Sequence, residues 1–392
     1  MPNIYFSHQP LLNHQSKIMA IRFSFYSENA LTPDRAVNTL LPLLGNWLYG
    51  KRMTFLDFGA ISFDTRLFDW PIPENTVIEI PSSALLGPQN APLVEKLLSL
   101  PISLALIYDE NAPEVLSTGI RFRFINFDAK RYTPEQIKKL AAQMLPHGLG
   151  VAFNVPDHAS FQAYMSAGLN AASSWFFKHP DKAKRAKALN PAQANILHVL
   201  NLVRGNADIG EIEEALKQDV AISYKLLRYI NSSGFCLSCE IQSFRHAVTI
   251  LGYEKLNKWL SLLLATASKD PMAMALMHTA LTRARLMELL AHELINPQEY
   301  DNLFITGAFS LLDAFFGVDM DVALESMSLP MSINDALLGN EGIYSPFLNL
   351  VKASEGDNGN AIASQAKMLD LTAQQFNTMQ LQALAFADMM DF

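Results

Sequence analysis

"KIMAIRFSFY", residues 17–26, has the composition of a β-strand and one oddity: Arg22 is the single charge between Lys17 and Glu28. Alternate side chains of a half-buried strand face opposite ways, so Ile21, Phe23 and Phe25 are expected in a core and Ala20, Arg22 and Ser24 on the other face. A solvated outer face is the plain expectation for the guanidinium. The alternative, that the arginine stands in a site, depends on what surrounds this strand.

Outward from it, strand-like segments recur at 53–58 ("MTFLDF"), 76–80 ("TVIEI"), 103–108 ("SLALIY"), 122–127 ("FRFINF"), 148–155 ("GLGVAFNV") and 171–177 ("AASSWFF"). Helical patterns fall between them, as in "TPDRAVNTLLPLLGNWLYG" and "TPEQIKKLAAQML". The second opens with Thr133 as cap and Pro134 at the first helical position, a helix-start signature. Strands alternating with helices predict a parallel sheet, and seven or eight of them favour closure into a barrel. Beyond the charged, proline-bearing stretch 179–193, apolar residues recur at spacings of three and four almost to the end, which predicts an all-helical domain. The fold class is therefore α/β plus all-α. The expected division is a barrel at 1–180, a linker at 181–192 and a helical domain at 193–392.

At 392 residues with 50% hydrophobic content, the chain has material for two packed cores. No run of 18 apolar residues occurs and the start lacks a secretory pattern, so a cytoplasmic location with no membrane partner is expected. The net charge of −8 is uneven: residues 190–392 carry 12 Lys and Arg against 23 Asp and Glu. Nucleic-acid binding needs phosphate neutralisation and is not expected of such a half; a protein partner, which the sequence leaves unidentified, is. Cys236 and Cys239 stand as an isolated C-x-x-C without the two further ligands of a zinc site or the context of a redox pair. They are read as plain thiols.

The second half carries the more specific signal. "LKQDVAISYKLLRYINSSGF" followed by "IQSFRHAVTILGYEKLNKWL" resembles the HDOD domain of bacterial signalling proteins, with Asp219 opening a helix, Asn231 and Ser232 ending it, and Ala247, Leu251 and Gly252 in the helix that follows. HDOD domains are similar to metal-dependent HD phosphohydrolases, whose activity needs an adjacent His-Asp pair. This sequence has no His-Asp dipeptide; Asp313 in "FITGAFSLLDAFFG" is an isolated carboxylate, and His278 and His292 lack an acidic cluster. The resemblance thus implies a helical domain without a metal.

The first half is similar to EAL domains, the cyclic di-GMP phosphodiesterases, in which a Gln-Pro pair (here Gln9-Pro10) precedes a strand ending in Glu-x-Leu-x-Arg. The closing stretch "ALLGNEGIYSPFLNLVKASEGDN" looks like the tail of proteins that join such a barrel to an HDOD domain. Catalysis in that family resembles two-metal hydrolysis, which carboxylates and an asparagine support by holding both cations. On this chain the motif's glutamate falls on Arg22 and its arginine on Tyr26; the strand asparagine falls on Asp57, the next glutamate on Glu79, and the paired aspartates on Ile107 and Tyr108. Lys-x-Asp becomes Asn126-Phe127-Asp128, the later glutamate falls near Pro156, and the terminal Gln-Gly near Ser173-Ser174. A guanidinium offers a metal no lone pair. The resemblance therefore implies no catalytic residues, no metal ligands and no cofactor. Gln9, Arg22, Glu79 and Asp128 are expected to line a remnant pocket, with cyclic di-GMP as the candidate ligand. The expected function is regulatory, through protein contacts, with binding of cyclic di-GMP without turnover as the alternative and active hydrolysis as the less favoured one.

Overall fold

Most strands of the first half are short and largely apolar on both faces, the pattern of a sheet covered inside and out. In the computed structural model of the chain, eight strands close into a barrel in sequence order: β1 (Ile4–Asn13), β2 (Ile18–Ser27), β3 (Met53–Asp57), β4 (Thr76–Pro81), β5 (Ser103–Ile107), β6 (Phe124–Asp128), β7 (Leu149–Phe153) and β8 (Ala171–Ser173). The structure describes residues 3–27, 31–48, 50–59, 61–178, 191–217, 252–253, 257–258, 260, 272–325, 327 and 329–389.

Strands β2 to β8 run parallel, with α1 (Pro33–Leu48), α2 (Ala91–Ser99), α3 (Ala112–Leu116), α4 (Pro134–Met144) and α5 (His158–Ser166) in the crossovers. The all-parallel expectation fails at β1, which is antiparallel to both β2 and β8. It joins β2 through a tight turn in which Ser16 takes φ 60. This strand is missing from the sequence reading because Pro10, which has no N–H, and the polar pair His8-Gln9 interrupt its apolar pattern. The barrel accommodates the proline by using its carbonyl, which accepts from Ser173 Oγ at 3.0 Å.

The barrel interior is packed by Leu11, Ala20, Phe55, Val77, Ala105, Phe124, Val151, Phe153 and Ala171. Ala20 among them fixes the facing of β2. Ala20, Arg22 and Ser24 point into the barrel, whereas Ile21, Phe23 and Phe25 point outward, where the ring of Phe23 meets Phe6 at 5.0 Å and Trp47 of α1 at 5.7 Å. A solvated face for Arg22 is thereby corrected: the closed barrel buries both faces of the strand, and the arginine side chain is 16% exposed.

Local signals hold where the sequence places them. Thr133 accepts from the Gln136 N–H while the Gln136 side chain accepts from Thr133 N–H, a reciprocal cap on α4. Thr133→Ala is expected to lower stability by about 1 kcal/mol, read as a shift in the urea midpoint at unchanged slope.

The chain divides into two compact units, Met1–Phe177 with Lys352–Thr378, and Lys178–Val351 with Met379–Phe392. The barrel unit thus takes in a stretch that the helical periodicity assigns to the second domain, because a helix lying on a sheet and a helix in a bundle share one period. Ser354 O accepts from His8 N–H at 3.1 Å, Asn377 Nδ2 donates to Ile4 O at 2.6 Å, and the helix Gly359–Met368 packs on β1 and β2.

The second unit is helical in its described residues, including Pro191–Arg204, Ile209–Lys217, Ala273–Leu294 and Tyr300–Phe309. The last two cross where Gly307 lies on the backbone of Arg283 and Ala284. Asp219, Asn231, Ser232, Cys236, Cys239, Ala247 and Leu251 lie outside the described residues; Gly252 takes φ 74, a conformation suited to ending a helix. Among the described residues no helix is long and apolar enough to cross a membrane.

Candidate functional site

The facing set by Ala20 decides which side chains meet inside the barrel. Two residues further along each parallel strand from the packed interior layer, and two residues back on antiparallel β1, the period of two brings Gln9, Arg22, Asp57, Glu79, Asn126 and Ser173 inward on β1, β2, β3, β4, β6 and β8, with apolar Ile107 and Phe153 on β5 and β7. This second layer is mostly polar. Its position is the end of the barrel at which parallel strands finish and loops gather, the usual place for a site in such folds.

Arg22 is the centre of it. Its Nε donates to Glu79 Oε1 at 2.7 Å and its Nη2 to Glu79 Oε2 at 2.8 Å, a bidentate clamp, while Nη2 also reaches Asp57 Oδ2 at 2.8 Å. The guanidinium carbon lies 4.4 Å from the centre of the Phe153 ring. A planar fork matched to a carboxylate on one side and an aromatic face on another is a use of arginine that lysine does not replace. Asp57 is steadied in turn by accepting from Gly59 N–H at 2.9 Å.

Burial sets the electrostatics. Burial works against the charge on Arg22, but Glu79 and Asp57 outweigh it, and the guanidinium holds its proton more tightly than a free arginine does. Glu79 is 1% exposed. Burial pushes its carboxyl up, and the charge and hydrogen bonds of Arg22 push it back down. Asn126 is also buried, and neither of its amide atoms has a hydrogen-bond partner within normal limits, although the amide stands near enough to Glu79 to favour its charged form.

Of the four expected pocket residues, the fold brings Arg22 and Glu79 into direct contact. Gln9 is paired with Arg22 in the β1–β2 register, so the two share a face, and its Oε1 accepts from Ser173 Oγ at 3.4 Å. Asp128 does not join the Arg22 cluster through a hydrogen bond: at the end of β6 it accepts from Asn154 Nδ2 at 2.8 Å and from Lys130 N–H at 3.0 Å. Asp57 is the residue the sequence reading left out of the pocket. Its signal was present, since an acidic residue closes the apolar strand β3, but only the register places it beside Arg22. Asp109 binds the Asn111 N–H at its own loop.

This donor set does not suit a pair of divalent cations. The two carboxylates that face each other, Glu79 and Asp57, already share a permanent cation whose nitrogens hold them at hydrogen-bond distance. Among the described residues no group of three or more His, Cys, Asp or Glu side chains is placed to hold a metal. In the helical unit, His278 Nε2 meets Asp388 Oδ1 at 2.9 Å, while His292 stacks on Tyr300 with ring centres 4.0 Å apart. The two histidines of the long helix thus have separate neighbours.

The chain thus carries a closed α/β barrel with polar side chains at its mouth, and comparison with known proteins bears on both of its parts. Residues 189–312 match the HDOD domain. The Bacillus subtilis protein YuxH is 24% identical over 391 residues, 94% of each chain. The cyclic di-GMP phosphodiesterase CdgJ of Vibrio cholerae is 28% identical over 206 residues, 52% of this chain and 48% of that protein, so the match spans about half of that relative. Among solved structures, the FimX EAL domain from Pseudomonas aeruginosa bound to c-di-GMP is similar at 15% identity and a TM-score of 0.36, covering 46% of this chain and 91% of that one. Residues 189–312 are thus similar to an HDOD domain, and a closed α/β barrel precedes them in the chain.

Proposed function

We propose that this protein is a non-catalytic signal-transduction protein of the cyclic di-GMP signalling family, acting through contacts with a protein partner. The observation that carries the reading is the Arg22 clamp on Glu79 and Asp57. Phosphodiester hydrolysis by two metals needs carboxylates free to hold both ions and to generate hydroxide between them. Here a cation fixed to the chain neutralises those carboxylates, and it can neither bind water as a Lewis acid nor leave. Around it, Ile107 and Asn126 stand on β5 and β6 where a metal site would need further acidic or basic groups.

The same layer supports one secondary reading, a receptor that binds cyclic di-GMP without turnover, because the buried Asn126 amide has unused hydrogen-bonding capacity. The test uses the full chain with magnesium or manganese, following product formation from cyclic di-GMP and, separately, the heat of binding. The expected result is no product above the blank. Heat without product selects the receptor reading, and product at a rate proportional to enzyme overturns both.

A further inference from the structure

The barrel mouth is partly covered. The segment Ser354–Asn360, far along the chain from the strands, touches the rim on several sides. Ser354 O accepts from His8 N–H of β1, and Glu355 O accepts from the Trp175 indole N–H just beyond β8. Asp357 pairs with Lys130, two residues past β6, at 3.0 Å. Gly359 lies so close against the Tyr26 side chain of β2 that a methyl group there would collide with it.

In the closed strand order β2 and β6 stand opposite one another. Asp357 and Gly359 are two residues apart, so within this short stretch the segment meets side chains that reach in from opposite walls. Asp57 of the polar layer and Asp357, Asn358, Gly359 and Asn360 line the same cleft, of about 520 Å³. Beneath Gly359, the Tyr26 hydroxyl and Ser7 Oγ lie 3.3 Å apart, and Ser7 is 2% exposed.

We propose that Ser354–Asn360 is a removable strap that gates the barrel mouth, so that a ligand too large for the present cleft reaches the Arg22 layer only when the strap is displaced. Its two ends differ in character. At Ser354 and Glu355 it is buried and tied by backbone oxygens. At Asp357 the tie to Lys130 is between side chains that are 66% and 61% exposed. Exposed ion pairs hold weakly and yield to salt. Release therefore begins at the Lys130–Asp357 end, with Gly356 and Gly359 on either side of the turn as the hinge. This gate rests on the reading of the mouth as the working site, but its test needs no nucleotide.

Ser7→Cys puts a thiol under the strap in the full chain, and the rate of its alkylation by iodoacetamide is followed by mass spectrometry of the peptide carrying residue 7. The thiol is expected to react slowly. Lys130→Glu should speed the reaction about threefold or more, in keeping with a weak exposed pair. Exchanging the charges, Lys130→Asp with Asp357→Lys, should return it to the slow rate, and Gly359→Ala, by pressing on Tyr26, should speed it without touching the ion pair. Equal rates in the parent, Lys130→Glu and Gly359→Ala chains would overturn the gate, as would a charge exchange that fails to slow labelling. Turnover of cyclic di-GMP, measured separately, bears on the proposed function and leaves this result unchanged.

Discussion

Arg22→Met is expected to cost about 3–5 kcal/mol of stability, because it leaves Glu79 charged, buried and without its partner. Methionine keeps much of the arginine stem's volume, so the loss reflects charge rather than a cavity. Arg22→Met with Glu79→Gln should recover most of the loss, since removing both partners of a buried pair is far cheaper than removing one. The pH dependence follows from the burial of Glu79. Burial raises its folded pKa above the ordinary 4.5 and Arg22 opposes that rise, so losing Arg22 raises it further. A carboxyl with a raised folded pKa takes up a proton on folding between its unfolded and folded values, and stability then increases as the pH falls through that window. The deficit of Arg22→Met should therefore be greatest at neutral pH and shrink as the pH falls from neutral towards about 4.5, measured by urea unfolding. A deficit that stays constant with pH would show that Glu79 is not the charge left stranded.

Gly307→Ala is expected to damage the helical unit more than any other glycine-to-alanine change among its described residues. A Cβ at 307 would stand 2.6 Å from Ala284 Cα and 2.7 Å from Ala284 N. These are backbone atoms inside the helix Ala273–Leu294, so no side chain can rotate away and the two helices must separate. Overpacking usually costs 1–3 kcal/mol, and a backbone clash belongs at or above the upper end, about 3 kcal/mol or more. The readout is the melting of the full chain followed by circular dichroism, where a helical transition at lower temperature is expected. Gly317→Ala, at a glycine with open space around the added methyl but φ 64, should cost about 1 kcal/mol from backbone strain alone. An equal loss at both positions would show that contact at 307 is not the cause.

Arg22 shows how far the sequence carries the argument. A lone charge in an apolar strand was visible at once, and so was the resemblance that made it stand where a glutamate would be. Its meaning was not, because facing depends on closure: in an open sheet Arg22 points at water, and in a closed barrel it points at Glu79. Asp57 reads in the sequence as one altered position among several, since only the neighbouring of β2 and β3 in the closed barrel lets the long Arg22 side chain reach it. Strand β1 was hidden by Pro10, whose missing N–H argues against a strand until Ser173 is seen bonding its carbonyl. The tail "KASEGDN" falls by its period in the helical domain, because its contacts are with residues 180 or more positions away, which no local period encodes.

The return of Lys352–Thr378 to the barrel also sets a schedule for the nascent chain. All eight strands have been made by residue 173, but their last tie is not made until the whole of Lys178–Val351 has been translated. At ribosomal speeds that is roughly 10 to 35 s. During this interval the His8 edge of β1 has no Ser354 carbonyl to bond and the mouth has no cover, so the newly made barrel is most exposed to strand addition and to ligands before the protein is finished.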